Sequence, residues 1–170
     1  SKLLQCQLSQ IPLPDFNESS DLKALIGFNS FGSLIWPYPQ KIGINVPILL
    51  IGGTYDLITP LVSEQFKVFL SAESNPNNRF LVVEGASHFS PIRIESTNSI
   101  INSGEDVFNI NKNFIGSYPF DFQNLSLEII TKFLNSLETK NGMSFVQKQN
   151  AYNLKFHILG IDQIREIIKN

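Results

Sequence analysis

The chain has 170 residues, which is enough for one domain with a buried core. Its apolar share of 42% and charged share of 16% are typical of a globular protein and exclude a disordered one. The net charge of −2, without a long basic run, argues against a surface for nucleic acid or an anionic membrane. The apolar runs stop short of the roughly 20 residues that a transmembrane helix needs.

Cys6 is the only cysteine, so neither an intrachain disulfide nor a thiolate metal site can form. A single cysteine fits a reducing compartment, which favours the cytoplasm. The chain has two histidines and no clustered carboxylates, so we expect no metal and no other cofactor.

The first part of the chain predicts two strands with a loop between them. Leu22–Asn29 is rich in apolar residues and predicts a buried strand. The segment after it contains three aromatic residues and two prolines, which exclude a regular helix. Val46–Ile51 predicts the clearest strand of the chain, and its Pro47 lies near the start, where a missing N–H is tolerated.

A helix and a third strand follow. Thr59 and Pro60 predict a helix start, with Thr59 as the N-cap and Pro60 at the first helical position. The apolar face of this helix consists of Val62, Phe66, Phe69 and Leu70. Arg79–Glu84 predicts the next strand, so the sequence favours a βαβ unit with parallel strands.

The remainder of the chain predicts a long irregular segment and three helices. Residues 90–120 show no clear apolar period, and a segment of this length is typical of a lid or a partner-binding loop. Asn124–Leu137 predicts an amphipathic helix with Ile130, Phe133, Leu134 and Leu137 on its apolar face. Residues 143–158 and 161–169 predict two more helices, which form a helical tail over 143–170 and place His157 in a helix.

Two polar residues follow successive strands of the βαβ unit. Asp56 comes after Gly52-Gly53, and His88 comes after Gly85-Ala86-Ser87. In doubly wound α/β proteins, ligands bind at the carboxyl ends of the strands. An aspartate there can orient an imidazole and stabilise its cation during proton transfer. Taken singly, Asp56 is better explained as a turn residue, and His88 as a loop histidine bonded to the backbone. The combination of the two residues favours a catalytic role.

The order of the two residues narrows the class of enzyme. The acid precedes the base by 32 residues, which fits the Ser–Asp–His order of α/β-hydrolases and excludes the His-first order of chymotrypsin-type enzymes. LLIGGTYDLITP and FLVVEGASHFSP resemble the last two core strands of the α/β-hydrolase fold. Within this fold the chain more closely resembles a bacterial, largely cyanobacterial, branch of predicted dienelactone hydrolases, which are related to platelet-activating-factor acetylhydrolases. The similarity extends to residues 3–8, 22–35 and the tail from 143.

This resemblance implies the C-terminal part of an α/β-hydrolase fold, with about three parallel strands and flanking helices. It implies a serine carboxylesterase or lipase-like enzyme in which Asp56 is the triad acid and His88 the triad base. The nucleophile motif G-x-S-x-G does not occur in the sequence. Ser30 in Gly27–Gly32 comes closest, but the first glycine is one residue too far away and prolines follow instead of a helix.

We therefore expect that the nucleophilic serine and the oxyanion donors belong to a missing N-terminal half, and that this chain alone is inactive. The ester or acyl substrate would bind to the complete enzyme. Aromatic residues near the strand ends are candidates for its pocket: Phe31, Trp36, Tyr55 and Phe89.

Strand 22–29 would lie at an exposed sheet edge, which predicts association with the missing half or a homodimer. Two other interpretations remain open. One is a non-catalytic module that binds a ligand or partner with the same fold. The other is a flavodoxin-like nucleotide-binding domain, although Gly52-Gly53 is not part of a G-x-G-x-x-G or G-K-[ST] motif.

Overall fold

A computed structural model describes residues 21–32, 39, 43–72, 75–91, 118–144 and 146–169. In chain order its elements are β1 (Leu25–Phe28), β2 (Ile48–Gly53), α1 (Phe66–Ser71), β3 (Arg79–Val83), α2 (Pro119–Thr139), β4 (Val146–Ala151), β5 (Leu154–Leu159) and α3 (Ile161–Lys169). A π-helical turn, Leu61–Gln65, leads directly into α1. Cys6, Trp36 and most of the predicted lid segment, residues 92–117, lie outside the described residues.

The five strands form one mixed sheet in the order β1-β2-β3-β5-β4. β1, β2 and β3 are parallel neighbours, whereas β5 runs antiparallel to both β3 and β4. The described part of the chain therefore has an α/β fold, and the three predicted parallel strands are confirmed. Only their ends differ from the predicted boundaries. Since β2 and β3 run parallel, the loops that carry Asp56 and His88 leave the same edge of the sheet.

Alternate residues of the strands pack into two apolar layers. Leu49, Ile51, Leu81 and Val83 pack with α2 on one face of the sheet, and Ile48, Leu50, Phe80 and Val82 pack with α1 and α3 on the other. Because both faces are covered, β2 and β3 are apolar at consecutive positions, and this is why they were clear in the sequence.

The helix predicted after Thr59 and the helix predicted over residues 124–137 both exist, as α1 and α2, but each begins at a different residue than predicted. Thr59 does not cap the first helix: Pro60 precedes the π-helical turn, and no side chain caps it. Val62 is exposed, so it does not belong to the buried face that Phe66, Phe69 and Leu70 form. α2 begins earlier than predicted, because Pro119 fits a first helical turn, whose N–H groups have no helical partners.

The predicted helical tail is wrong for residues 143–158, which contain the hairpin β4–β5. Tyr152 and Asn153 both have positive φ angles, 52° and 58°, as a two-residue type I′ turn requires. Every second residue of the strand after the turn is buried, which is the period of a strand and not of a helix. His157 therefore lies on β5, and only α3 matches its prediction.

Within the described ranges, no helix is both long and apolar enough to cross a membrane.

Candidate active site

The loops after β2 and β3 are joined by backbone and side-chain hydrogen bonds. The Thr54 N–H donates to the Val83 carbonyl (3.1 Å), and the Tyr55 N–H donates to the Ala86 carbonyl (2.9 Å). In return the Gly85 N–H donates to the Thr54 hydroxyl (2.9 Å). These contacts hold the loop that carries Asp56 beside the loop that carries His88.

The two glycines at the end of β2 are explained by close packing. A Cβ on Gly53 would lie 2.0 Å from the Ala86 carbonyl oxygen, so a side chain there would push the two loops apart. A Cβ on Gly52 would lie 1.9 Å from the Gln65 side-chain oxygen. Because both glycines are in contact with the protein itself, the pair provides no support for a phosphate site and therefore none for the nucleotide-binding interpretation.

The Asp56 carboxylate is buried and is surrounded by hydrogen-bond donors. Its Oδ1 accepts the N–H groups of Ile58 (3.0 Å) and Thr59 (2.7 Å). Its Oδ2 accepts the Thr59 hydroxyl (2.8 Å) and the Gln65 side-chain amide (3.1 Å). A carboxylate with this many donors is held in one orientation.

The His88 ring completes this set of donors. Its Nδ1 lies 3.0 Å from Asp56 Oδ2 and 3.2 Å from Oδ1. Because an ionised carboxylate only accepts hydrogen bonds, this contact places the ring proton on Nδ1 and leaves the Nε2 lone pair available. The His88 side chain is 30% exposed, while that of Asp56 is fully buried. Within the described chain, all hydrogen bonds of the His88 ring are made by Nδ1, and none is made by Nε2. The ring also forms a T-shaped contact with the Phe89 ring.

The predicted acid and base are thus brought together. Asn29, at the end of β1, supports them from the other side: its side-chain amide donates to the His88 carbonyl (2.7 Å), and its own carbonyl lies 3.2 Å from the Thr59 hydroxyl. Asn29 is buried in a left-handed conformation (φ 46°), which asparagine tolerates better than most residues.

Sequence reasoning missed Asn29 and Gln65 and gave Thr59 a different role. The sequence pattern places Asn29 only at the end of the predicted strand Leu22–Asn29 and in the stretch around Ser30, and it predicts Thr59 as a helix cap. Gln65 carried a detectable signal, since it is a polar residue directly before Phe66 on the buried face of its helix. Its importance depends on the long-range contact with Asp56, which no local pattern reveals.

The remaining candidates are arranged around this pair. Ser30 is half-buried, and it is not among the hydrogen-bond partners of the His88 ring in the described chain. Phe31 and Tyr55 are exposed, and Phe89 is half-buried. Their role in a substrate pocket stays a prediction, as does that of Trp36.

Two other features lie apart from Asp56 and His88. A cavity of about 420 Å³ on the α3 side of the sheet is lined by residues of β3, β5, α1 and α3, including His157. His157 forms an ion pair with Glu84, with Nε2 and Oε1 3.0 Å apart. Nowhere in the described ranges do three or more histidine, cysteine or acidic side chains cluster as a metal site would need.

No protein-family model matches the chain, and no curated protein sequence matches it significantly.

Proposed function

We propose that this chain supplies the acid and the base of a serine hydrolase that cleaves carboxylic esters, with the C-terminal strands of an α/β-hydrolase fold as its scaffold. One observation carries the proposal: a fully buried aspartate with four other donors binds Nδ1 of a partly exposed histidine. This is the arrangement that a charge-relay triad requires of its acid and base.

The proposed reaction assigns each residue a step. A serine hydroxyl attacks the ester carbonyl while His88 Nε2 removes its proton, and His88 then donates that proton to the leaving alcohol. Asp56 keeps the ring in the Nδ1–H tautomer and stabilises the imidazolium that forms. The same base activates the water that hydrolyses the acyl-enzyme. Hydrogen-bond donors outside the described residues would stabilise the oxyanion.

The serine is proposed to come from a polypeptide segment that pairs with the outer edge of β1, which no strand of the described residues covers. The two edge strands of the described sheet differ: β4 shows exposed Lys148, Gln149 and Asn150 and a break in register, features that prevent pairing, whereas β1 is Leu-Ile-Gly-Phe. A strand added parallel to β1 would have its carboxyl end beside Asn29, at the same end of the parallel strands as His88. The occupant is the N-terminal half of the complete enzyme or, as the alternative outcome, a second copy of this chain.

Ester hydrolysis tests the proposal, and the two histidines of the chain provide a matched pair. In the complete enzyme, His88→Ala should lower kcat/KM for a p-nitrophenyl ester at least about 1,000-fold, because the base is lost. His157→Ala should leave it within a few-fold of the unmodified enzyme. Equal rates for the two variants would refute the assignment of His88. Turnover by the isolated chain that Ser30→Ala abolishes would instead make Ser30 the nucleophile.

A non-catalytic interaction module is the second candidate, favoured by the fact that the hydrogen bonds of the His88 ring in the described chain go to Asp56 and Thr59 and not to a serine. A fluorophosphonate probe separates the two functions, because it reacts covalently with an activated serine. The complete protein should be labelled if it is a hydrolase, and His88→Ala should prevent labelling. An unlabelled protein that still binds a partner through β1 would support the module.

A further inference from the structure

We propose that Gln65 is a positioning residue of the site: through Asp56, it keeps His88 in the tautomer that can accept a proton at Nε2. The inference rests on the proposed function for its catalytic meaning. Its physical content, a control of the His88 tautomer by Gln65, stands by itself.

The first observation is the burial of the Gln65 amide and its hydrogen bonds. The residue has no exposed surface. Its side-chain nitrogen donates to Asp56 Oδ2 (3.1 Å) and to the Thr59 carbonyl (2.6 Å), so one amide connects the acid with the loop that surrounds it. Since the same Oδ2 is the oxygen nearest to His88 Nδ1, Gln65 fixes the atom that holds the ring.

The second observation is that this arrangement is costly for stability. The Gln65 side-chain oxygen is buried and has no hydrogen-bond partner. An unpaired buried acceptor is unfavourable, and an apolar side chain of the same size would avoid it. A residue kept for stability alone would not leave its own oxygen unsatisfied, so the contact with Asp56 is the better explanation for an amide here.

The third observation is that the neighbouring backbone is built around this side chain. Gln65 ends the π-helical turn Leu61–Gln65, a rare geometry that often occurs at functional sites. Gly52 faces the amide, and a Cβ at that position would lie 1.9 Å from the Gln65 oxygen. Gly52 has an ordinary backbone conformation, since its φ is not positive, so it is the space for Gln65 that requires a glycine.

The physical link to His88 runs through the carboxylate. Without the Gln65 donor, Asp56 Oδ2 keeps only the Thr59 hydroxyl and the His88 ring. Oδ1 still accepts its two backbone N–H groups, so the carboxylate can tilt about Oδ1 and move Oδ2 out of line with the His88 ring. A misaligned acceptor at Nδ1 allows the proton to move to Nε2, and His88 in that tautomer cannot accept the proton of a serine.

The test measures the tautomer of His88 directly, in the 170-residue chain, by ¹⁵N NMR of labelled histidine. The chain has only two histidines, so the spectrum contains two rings, and His157 serves as an internal control. At the alkaline plateau of its titration, His88 should be almost entirely in the Nδ1–H form. Gln65→Met removes the donor and keeps the volume. It should raise the ratio of Nε2–H to Nδ1–H about fivefold, the change expected for one hydrogen bond of ordinary net strength.

The matched control is Ser71→Ala in the same helical segment. Ser71 is also fully buried, and its hydroxyl donates to the Lys67 carbonyl (2.8 Å), away from Asp56. Ser71→Ala should leave the His88 tautomer unchanged. An unchanged tautomer in folded Gln65→Met protein overturns the inference, as does an equal shift in Ser71→Ala.

Gly52→Ala disturbs the hydrogen bonds between Gln65 and Asp56 without replacing Gln65. It therefore tests the positioning role of Gln65 even if Gln65→Met does not fold. The added Cβ should displace the Gln65 side chain and shift the His88 tautomer in the same direction. It should lower the urea midpoint of the wild-type chain but not that of Gln65→Ala, where the colliding amide is gone. Destabilisation without a change of tautomer would make Gln65 a packing residue only and refute the inference.

The proposed function can fail separately. If the complete enzyme does not hydrolyse esters although Gln65→Met shifts the tautomer, the hydrolase proposal is wrong and the positioning role holds. If hydrolysis depends on His88 but Gln65→Met leaves the His88 tautomer unchanged, the hydrolase proposal holds and the positioning role of Gln65 is wrong. In an active complete enzyme, Gln65→Met should lower kcat and leave KM nearly unchanged, because Gln65 does not contact substrate.

Discussion

The chain contains two pairs of histidine and carboxylate at the same distance, and they are built differently. His88 and Asp56 are 3.0 Å apart, as are His157 and Glu84. Both histidines are partly exposed. The carboxylates differ, since the Asp56 side chain is fully buried and that of Glu84 is 39% exposed.

The surroundings of the two acids differ as well. Asp56 accepts hydrogen bonds from two backbone N–H groups, a hydroxyl and an amide in addition to His88. Glu84 is paired with His157, and this hydrogen bond lowers the pKa of Glu84, helped by the charges of Lys148 and Lys155. The comparison teaches that a short distance does not identify a catalytic pair. The burial and fixed orientation of the acid, and the ring nitrogen that it contacts, distinguish the two pairs.

The largest loss of stability should come from a substitution that moves the loop of Asp56 away from the loop of His88. Gly53→Ala places a methyl group against the Ala86 backbone, which cannot give way as a flexible side chain can. We expect a loss of about 3 kcal/mol or more in the free energy of unfolding, measured with urea. Gly43→Ala is the control, because nothing lies within 4 Å of its Cβ, and it should change little. Equal midpoints would mean that the loops are not locked together.

A smaller effect is expected for Asp56→Asn, which keeps the shape of the side chain. Its new NH₂ group faces donors such as the Thr59 hydroxyl and the Gln65 amide, so at least one buried hydrogen bond is lost. The free energy of unfolding should fall by about 2 kcal/mol. Under the proposed function, ester hydrolysis should fall about 10⁴-fold, because the asparagine no longer selects the Nδ1–H tautomer. Retained hydrolysis would remove Asp56 from the triad.

The smallest effect should come from Glu84→Gln in the second pair. Because folding lowers the pKa of Glu84, its stabilisation is present above the ordinary carboxyl pKa of about 4.3 and is lost as the pH falls through the folded value. We expect nearly equal urea midpoints at pH 7, and any small difference should vanish as the pH falls below the lowered pKa of Glu84 in the folded protein. An effect as large as that of Asp56→Asn would show that the two pairs are equivalent after all.

Much of the fold and the central pair could be predicted from local patterns. The apolar runs of β2 and β3 were clear because both faces of these strands are covered. Asp56 and His88 were found because each follows such a run, and parallel strands place their carboxyl ends at one edge. The hairpin β4–β5 was not predicted for two reasons. β4 is mostly polar, so it shows no clear alternation of apolar residues. The turn consists of Tyr152 and Asn153 and lacks the glycine that is typical of such turns.

The sequence by itself determined the parallel strands and the order of acid and base, since both depend on neighbours along the chain. Only the tertiary structure decided that Asn29 reaches His88 and that Gln65 reaches Asp56. It also decided that Gly52 and Gly53 leave room for the protein's own atoms and not for a ligand's phosphate. These contacts join segments that are separate in the chain, and their hydrogen bonds depend on side-chain directions that only packing fixes.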